Sequence, residues 1–148
     1  MKKQAQNLIN LYNEKGEKHG YWEWYYSNGQ LSSKGDLVNG KQDGYWEEYY
    51  SDGQLSCNGN WVNGKRDGYW EWYYSNGKLE KKGNFVNGQR DGYWERYHSD
   101  GQLEMKGNWV NGKFIEEKPV TELSMDEIVK NLEILVEQLK IKQSNQTT

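Results

Sequence analysis

Between residues 11 and 113 the chain alternates two kinds of short segment. One is dense in aromatic rings and first occurs as Tyr-Trp-Glu-Trp-Tyr-Tyr (residues 21–26). The other spaces its apolar residues around a glycine and first occurs as Leu-Ser-Ser-Lys-Gly-Asp-Leu-Val (residues 31–38). Both have strand length and the residue types that fit a pleated, half-buried surface. Ser-Asn-Gly or Ser-Asp-Gly separates them on one side. Asn-Gly and Asp-Gly favour a type I′ hairpin turn, whose two central residues need positive φ, so a tight turn is predicted there. On the other side Val-Asn-Gly-Lys-Gln-Asp-Gly is longer and suits a looser connection. Pro119 marks a break, after which the period becomes helical. Met125, Ile128, Leu132, Leu135 and Leu139 recur at steps of three and four, and Val129 and Val136 widen the stripe. Ser124 and Glu127 form a capping-box pattern, so an amphipathic helix is predicted over 124–142.

The strand pattern is one unit written four times. Copies start at Gly20, Gly44, Gly68 and Gly92 with no insertion between them. A degenerate half-copy precedes the first, with Gly16 in register with Gly40, and the array stops near Lys113, where Phe-Ile-Glu replaces Arg-Asp-Gly. The organisation read from this is an N-terminal extension (1–10), a repeat array (11–115, comprising a half-repeat 11–19 and repeats 20–43, 44–67, 68–91 and 92–115), a linker (116–123), the helix and a disordered tail (143–148). Each copy is one β-hairpin. The predicted fold is mostly β: an elongated antiparallel meander of roughly nine strands followed by the C-terminal helix. A single hairpin cannot bury its apolar face; stacked copies can.

A two-residue turn at Asn28-Gly29 sets Tyr26 opposite Leu31, Trp24 opposite Ser33 and Trp22 opposite Gly35, where the bare glycine leaves room for the indole. Tyr25 then meets Ser32 and Glu23 meets Lys34, a charge pair that recurs as Glu71 with Lys82 and Glu95 with Lys106. The competing register is a three-residue loop with a glycine bulge. It moves every pair by one and brings Tyr25 beside Leu31 and Tyr21 beside Gly35. In the first register one face carries Trp22, Trp24, Tyr26, Leu31 and Leu37 with their counterparts, and the other carries Tyr21, Glu23 and Tyr25. Trp24 becomes Glu48, Trp72 and Arg96 in later copies, and Ser33 becomes Cys57, Lys81 and Met105. These variable positions cluster, so they are expected to form a solvent-facing patch.

The run Gly-Tyr-Trp-Glu-Trp-Tyr-Tyr-Ser-Asn-Gly-Gln-Leu, with its mid-strand glycine and second Asn-Gly, closely resembles the MORN-repeat variant of bacterial proteins (membrane occupation and recognition nexus). The resemblance covers residues 11–113, some two-thirds of the chain. It implies an elongated, twisted β-meander acting as a binding or scaffold module, with lipid contact in some members and an antitoxin-component label in several. It implies no catalytic residue. The same run is similar, more weakly, to choline- and glucan-binding repeats of secreted surface proteins. Those repeats are shorter and lack the regular Glu after Trp.

Composition narrows the function. Mean hydropathy is −1.20, yet aromatic residues make up 15%, enough to supply a core that aliphatics do not. The net charge of −3 leaves no broad basic surface, which argues against nucleic acid and against anionic membranes. Cys57 is the only cysteine, in keeping with a reducing compartment. The chain has no run of about 18 apolar residues. Its first residues lack the apolar stretch of a secretory signal, so a soluble, cytoplasmic protein is expected.

The sequence offers no catalytic or metal-binding constellation: His19 and His98 read as surface residues without metal partners. Cys57 lacks a histidine and an acid to activate it. The glutamate column repeats beside lysines instead of standing in unlike environments. The expectation is therefore no enzyme, no cofactor and no metal, but a module that binds another protein. The predicted contact surface is Tyr21, Glu23, Tyr25, Tyr45, Glu47, Tyr49, Tyr69, Glu71, Tyr73, Tyr93, Glu95 and Tyr97, whose carboxylates favour a basic partner. Alternatives are choline or glycan binding in aromatic cages and attachment to membrane surfaces. The helix has three possible fates: covering its own sheet, pairing with a second copy as a homodimer through 124–142, or binding a different protein.

Overall fold

In the computed structural model, residues 9–116 and 124–144 are described. The expectations for the first residues of the extension, most of the linker and the end of the tail lie outside them. Ten strands form one open sheet: β1 (Leu11–Tyr12), β2 (Lys18–Tyr25), β3 (Leu31–Val38), β4 (Lys41–Tyr49), β5 (Leu55–Val62), β6 (Lys65–Tyr73), β7 (Leu79–Val86), β8 (Gln89–Tyr97), β9 (Leu103–Val110) and β10 (Lys113–Ile115). Their order in the sheet is their order in the chain, and every neighbouring pair is antiparallel. The helix α1 (Met125–Ser144) belongs to a separate unit that begins at Glu116. Its capping box forms: the Glu127 carboxylate accepts the Ser124 N–H at 2.9 Å, and the Ser124 hydroxyl accepts the Glu127 N–H at 3.3 Å.

The two turns exchange the types expected for them. Asn39 and Gly40 both have positive φ (51° and 77°), and Val38 pairs directly with Lys41. The later copies do the same, so the tight I′ turn lies in the supposedly looser connection. At Ser27-Asn28-Gly29 only Gly29 has positive φ. Its N–H donates to the Tyr26 carbonyl at 2.9 Å, and the Tyr26 N–H donates to the Gln30 carbonyl at 2.8 Å. This is a type I turn closed by a left-handed glycine, a three-residue loop. In all four copies the side-chain oxygen of the middle loop residue, Asn28, Asp52, Asn76 or Asp100, accepts the N–H two residues on, which favours this loop; Asn28 adds a bond to the next copy. Its oxygen accepts the Gln30 N–H at 3.1 Å, and its nitrogen donates to the Ser51 carbonyl of the next copy at 2.8 Å.

Each of the two candidate registers holds over part of the hairpin. Next to the loop Tyr25 stands opposite Leu31, so the pairs Tyr26–Leu31 and Tyr25–Ser32 do not form. A bulge at Ser32 absorbs the extra residue. From there inward the pairs are Trp24–Ser33, Glu23–Lys34 and Trp22–Gly35. Between copies a second irregularity carries the ladder from Leu37–Gln42 to Gly35–Trp46.

That second shift builds the core. Although Gly35 pairs with Trp22, the indole that fills the space above it is Trp46, from the following copy. A Cβ on Gly35 would come within 2.5 Å of the Trp46 ring, and the same relation holds for Gly59 with Trp70 and Gly83 with Trp94. The indole N–H groups of Trp46, Trp70 and Trp94 donate to the carbonyls of Asp36, Asn60 and Asn84 at 2.9–3.0 Å. Trp22, Trp46, Trp70 and Trp94 are all buried, Trp70 completely. Burial of such rings is the main apolar contribution available to a single-layer sheet. At the start of the array the Trp22 N–H donates to the Leu11 carbonyl at 3.0 Å, with the Tyr12 ring edge-on at 5.1 Å. At its end Phe114 covers Gly107. The half-copy and the altered ending thus complete the first and last units.

The variable positions do not form one exposed patch. Arg96 and Met105 are exposed, but Cys57 is buried in a cluster with Trp70, Phe85 and Trp94, against which Trp72 packs. In the ladder Cys57 stands between Glu48 and Trp72, so its neighbours cover it.

Candidate functional site

The ladder separates the two faces. On one of them, tyrosine, glutamate and lysine form a repeated network. The hydroxyls of Tyr49, Tyr73 and Tyr97 donate to Glu47, Glu71 and Glu95 at 2.6–2.7 Å, and Tyr25 donates to Glu23. Lys34 pairs with Glu47 at 2.6 Å and Lys82 with Glu95 at 3.0 Å. The expected pairs are Glu23 with Lys34, Glu71 with Lys82 and Glu95 with Lys106; Glu95 stands opposite Lys106 but pairs with Lys82. Lys34 and Lys82 each stand opposite two glutamates in the ladder, but their ion pairs form across the copy boundary. Among the described residues Glu23 and Glu71 accept tyrosine hydroxyls and pair with no lysine. Asn58 takes the lysine position in the second copy and donates to the Tyr45 hydroxyl at 2.9 Å.

This network fixes protonation. Burial works against the Glu47 carboxylate, but hydrogen bonds from Lys34 and Tyr49 outweigh it and hold the group below its ordinary pKa. Glu95 is held low by the Tyr97 hydroxyl and by Lys82. The bond to Glu47 raises Lys34, while burial and the Glu71 carboxylate raise Tyr73. The tyrosines are therefore neutral donors and the paired carboxylates ionised acceptors.

The outer tyrosines of the face are open. Tyr25, Tyr45, Tyr69 and Tyr93 are each about half exposed, from 46% to 56%. Tyr21, Tyr49, Tyr73 and Tyr97 are half-buried. Between Tyr69 and Tyr93 lies a cleft of about 300 Å³ with Lys82 and Glu95 in its lining. Of the twelve predicted contact residues, Tyr25, Tyr49, Tyr73 and Tyr97 are thus tied to the glutamates two positions before them, and Tyr69 also donates to Glu71.

Sequence reasoning missed the chemistry of the opposite face, where cations lie over the buried indoles. The Arg66 guanidinium is 4.8 Å from the Trp70 centroid, and Arg90 is 4.6 Å from Trp94. The Lys18 ammonium is 4.8 Å from Trp22. These residues occur 24 positions apart or at multiples of that spacing, inside segments that read as loop. A column-by-column comparison of the copies would have shown the recurrent positive charge. A third element was also missed: the hydroxyls of Tyr26, Tyr50 and Tyr74 donate to the carbonyls of Tyr49, Tyr73 and Tyr97, tying each loop to the next copy.

The other singled-out residues have structural roles. His19 takes the column position of Asp43, Asp67 and Asp91, whose carboxylates accept the Asn63, Asn87 and Asn111 N–H groups of the I′ turns. His19 accepts the Asn39 N–H at the long distance of 3.5 Å. His98 is exposed and lies 3.9 Å from Glu104. Burial, with Glu48 nearby, pushes the Cys57 thiol up to about 12. Among the described residues no cluster of His, Cys, Asp or Glu could hold a metal, and no helix is long and apolar enough to cross a membrane.

A sequential sheet whose successive hairpins are joined by a Trp-on-Gly contact defines a tandem-repeat β-module. The MORN repeat variant matches residues 18–39, 42–63, 66–87 and 90–111, and the chain belongs to that family. Each matched unit opens on the column of Lys18, Gln42, Arg66 and Arg90 and closes on the first residue of an I′ turn. A search of curated proteins found no match.

Proposed function

We propose that the array is a non-enzymatic module that binds another protein through its tyrosine/glutamate face, in a scaffold or antitoxin-like role. The observation that carries this reading is the row of half-exposed Tyr45, Tyr69 and Tyr93, with Tyr25 also half exposed, on the face that carries a hydrogen-bonded tyrosine–glutamate–lysine network. Tyrosine offers a large contact area at small conformational cost and is enriched at interface hot spots. Fixing the neighbouring rings and carboxylates before contact lowers that cost further. Glu23 and Glu71 remain to meet basic groups of the partner. A cytoplasmic setting goes with this reading, supported by a lone, buried thiol.

The test is site-specific photo-crosslinking from position 69 in the host cell, with position 96, exposed on the opposite face, as control. The purified crosslinked protein should bind the array directly. Binding should fall at least about ten-fold in Tyr45→Ser/Tyr69→Ser, with the thermal melt unchanged. Retention of the partner by that variant would remove the assignment.

A further inference from the structure

The open tyrosines have a regular spacing. Tyr45, Tyr69 and Tyr93 form one column, each 24 residues and two strands from the next, and each is about half exposed. Neighbouring strands lie about 4.8 Å apart, so the rings recur about every 9.6 Å along the array. The cleft of about 300 Å³ between Tyr69 and Tyr93 is lined by Lys82, Gly83, Asn84 and Glu95. The equivalent residues between Tyr45 and Tyr69 are Asn58, Gly59, Asn60 and Glu71.

We propose that this column binds a proline-rich segment of a partner protein in the polyproline II conformation, laid across the strands with one turn of peptide to each copy. The proposal rests on the protein-binding reading of this face and adds the partner's conformation. One polyproline II turn is three residues and advances about 9.3 Å, close to the spacing of the rings. Side chains on one side of a β-strand recur about every 6.8 Å, and two turns of α-helix advance about 10.8 Å, so neither stays in step with the column. Grooves between aromatic rings are the usual platform for a polyproline II helix, whose preformed shape has little entropy to lose.

The polar groups of the face match such a peptide. Proline has no N–H, so the segment offers mainly carbonyl acceptors. Asn60 and Asn84, opposite Tyr45 and Tyr69 in the ladder, place one exposed amide in each interval, able to donate to those carbonyls. Glu71 belongs to the interval where Asn58 replaces a lysine, and among the described residues it accepts only tyrosine hydroxyls. Its carboxylate favours a basic residue between the prolines. Sheet twist turns the face by roughly 40–50° per copy, so a straight peptide meets two intervals, about nine residues.

The test titrates the full chain, its tyrosine rings isotope-labelled for NMR, with the capped peptide acetyl-(Pro-Pro-Arg)3-amide. The expected result is a saturable shift of the Tyr45, Tyr69 and Tyr93 ring signals. The peptide (Gly-Gly-Arg)3, equal in charge but flexible, should bind about ten-fold more weakly. A single Pro-Pro-Arg turn should barely bind, and a fourth turn should add little to three. Tyr69→Ser should weaken the nine-residue peptide about ten-fold, and Glu71→Gln several-fold. No shift at these rings, equal binding of the glycine peptide, or undiminished binding to Tyr69→Ser would overturn the proposal. If Tyr69→Ser fails to fold, Tyr93→Ser takes its place. A partner crosslinked from position 69 together with silent peptide titrations would overturn this proposal alone and leave the binding face standing.

Discussion

The indole of Trp94 lies flat on the backbone of Gly83, so close that a Cβ there would come within 2.2 Å of the ring. Gly83→Ala therefore has no room unless Trp94 leaves its place. The expected cost is about 1–3 kcal/mol, the usual range for overpacking a tight core. Thermal melts of wild type and variant check it.

Trp70 and Tyr69 are sequence neighbours with opposite roles. Trp70 is fully buried, its N–H bonded to the Asn60 carbonyl, whereas Tyr69 is half exposed. Trp70→Ala should lower stability by about 3–5 kcal/mol. Tyr69→Ser should stay within about 1 kcal/mol of wild type. Denaturant titration of both variants separates core from surface.

The carboxylates of Glu47 and Glu95 have folded pKa values below their ordinary ones. Such groups add stability that is complete above the unfolded pKa and is lost as pH falls through the folded one. Lys34 runs the other way. Its raised pKa adds stability that is complete below its unfolded value and is lost only in strong alkali. Stability should then decline from about pH 5 downwards, and Glu47→Gln should flatten part of that decline. Both side chains of the Lys34–Glu47 pair keep some exposure, so the effect should stay near 0.2–1 kcal/mol. Melts from pH 7 to pH 3 measure it.

Cys57 should be inert while the sheet is intact. Burial raises the thiol to about 12, leaving almost no thiolate at pH 8. Its reaction with a disulfide reagent should be at least about a hundred-fold slower than in the denatured chain. A native rate close to the denatured one would show that Cys57 is not held in the core.

The repeat made the sheet legible, because a period of 24 residues with two turn signals permits little other than a hairpin meander. Both faces could also be read, as could the glycine needed beneath an indole. Which indole uses that glycine could not be read within one hairpin, since Trp46 reaches Gly35 only through the register shift between copies. The turn types were hidden because both sites carry Asn-Gly or Asp-Gly, and the difference lies in a side-chain oxygen that caps the N–H two residues on at only one of them. Arg66 and Arg90 looked like loop residues because each lies over a ring four residues ahead on its own strand, Trp70 or Trp94, and over rings of neighbouring strands, so no run of adjacent residues displays the contact.

Because Trp46, Trp70 and Trp94 each seat themselves on a glycine of the copy before, the array has a direction. Shortening it from the carboxyl end would strip the cover from a glycine and leave bare main chain, which water can solvate. Shortening it from the amino end would leave a large unseated ring at the new edge, ready to adhere to whatever it meets. The two ends are thus unequal hazards, and Tyr12 and Phe114 are the stoppers that close them.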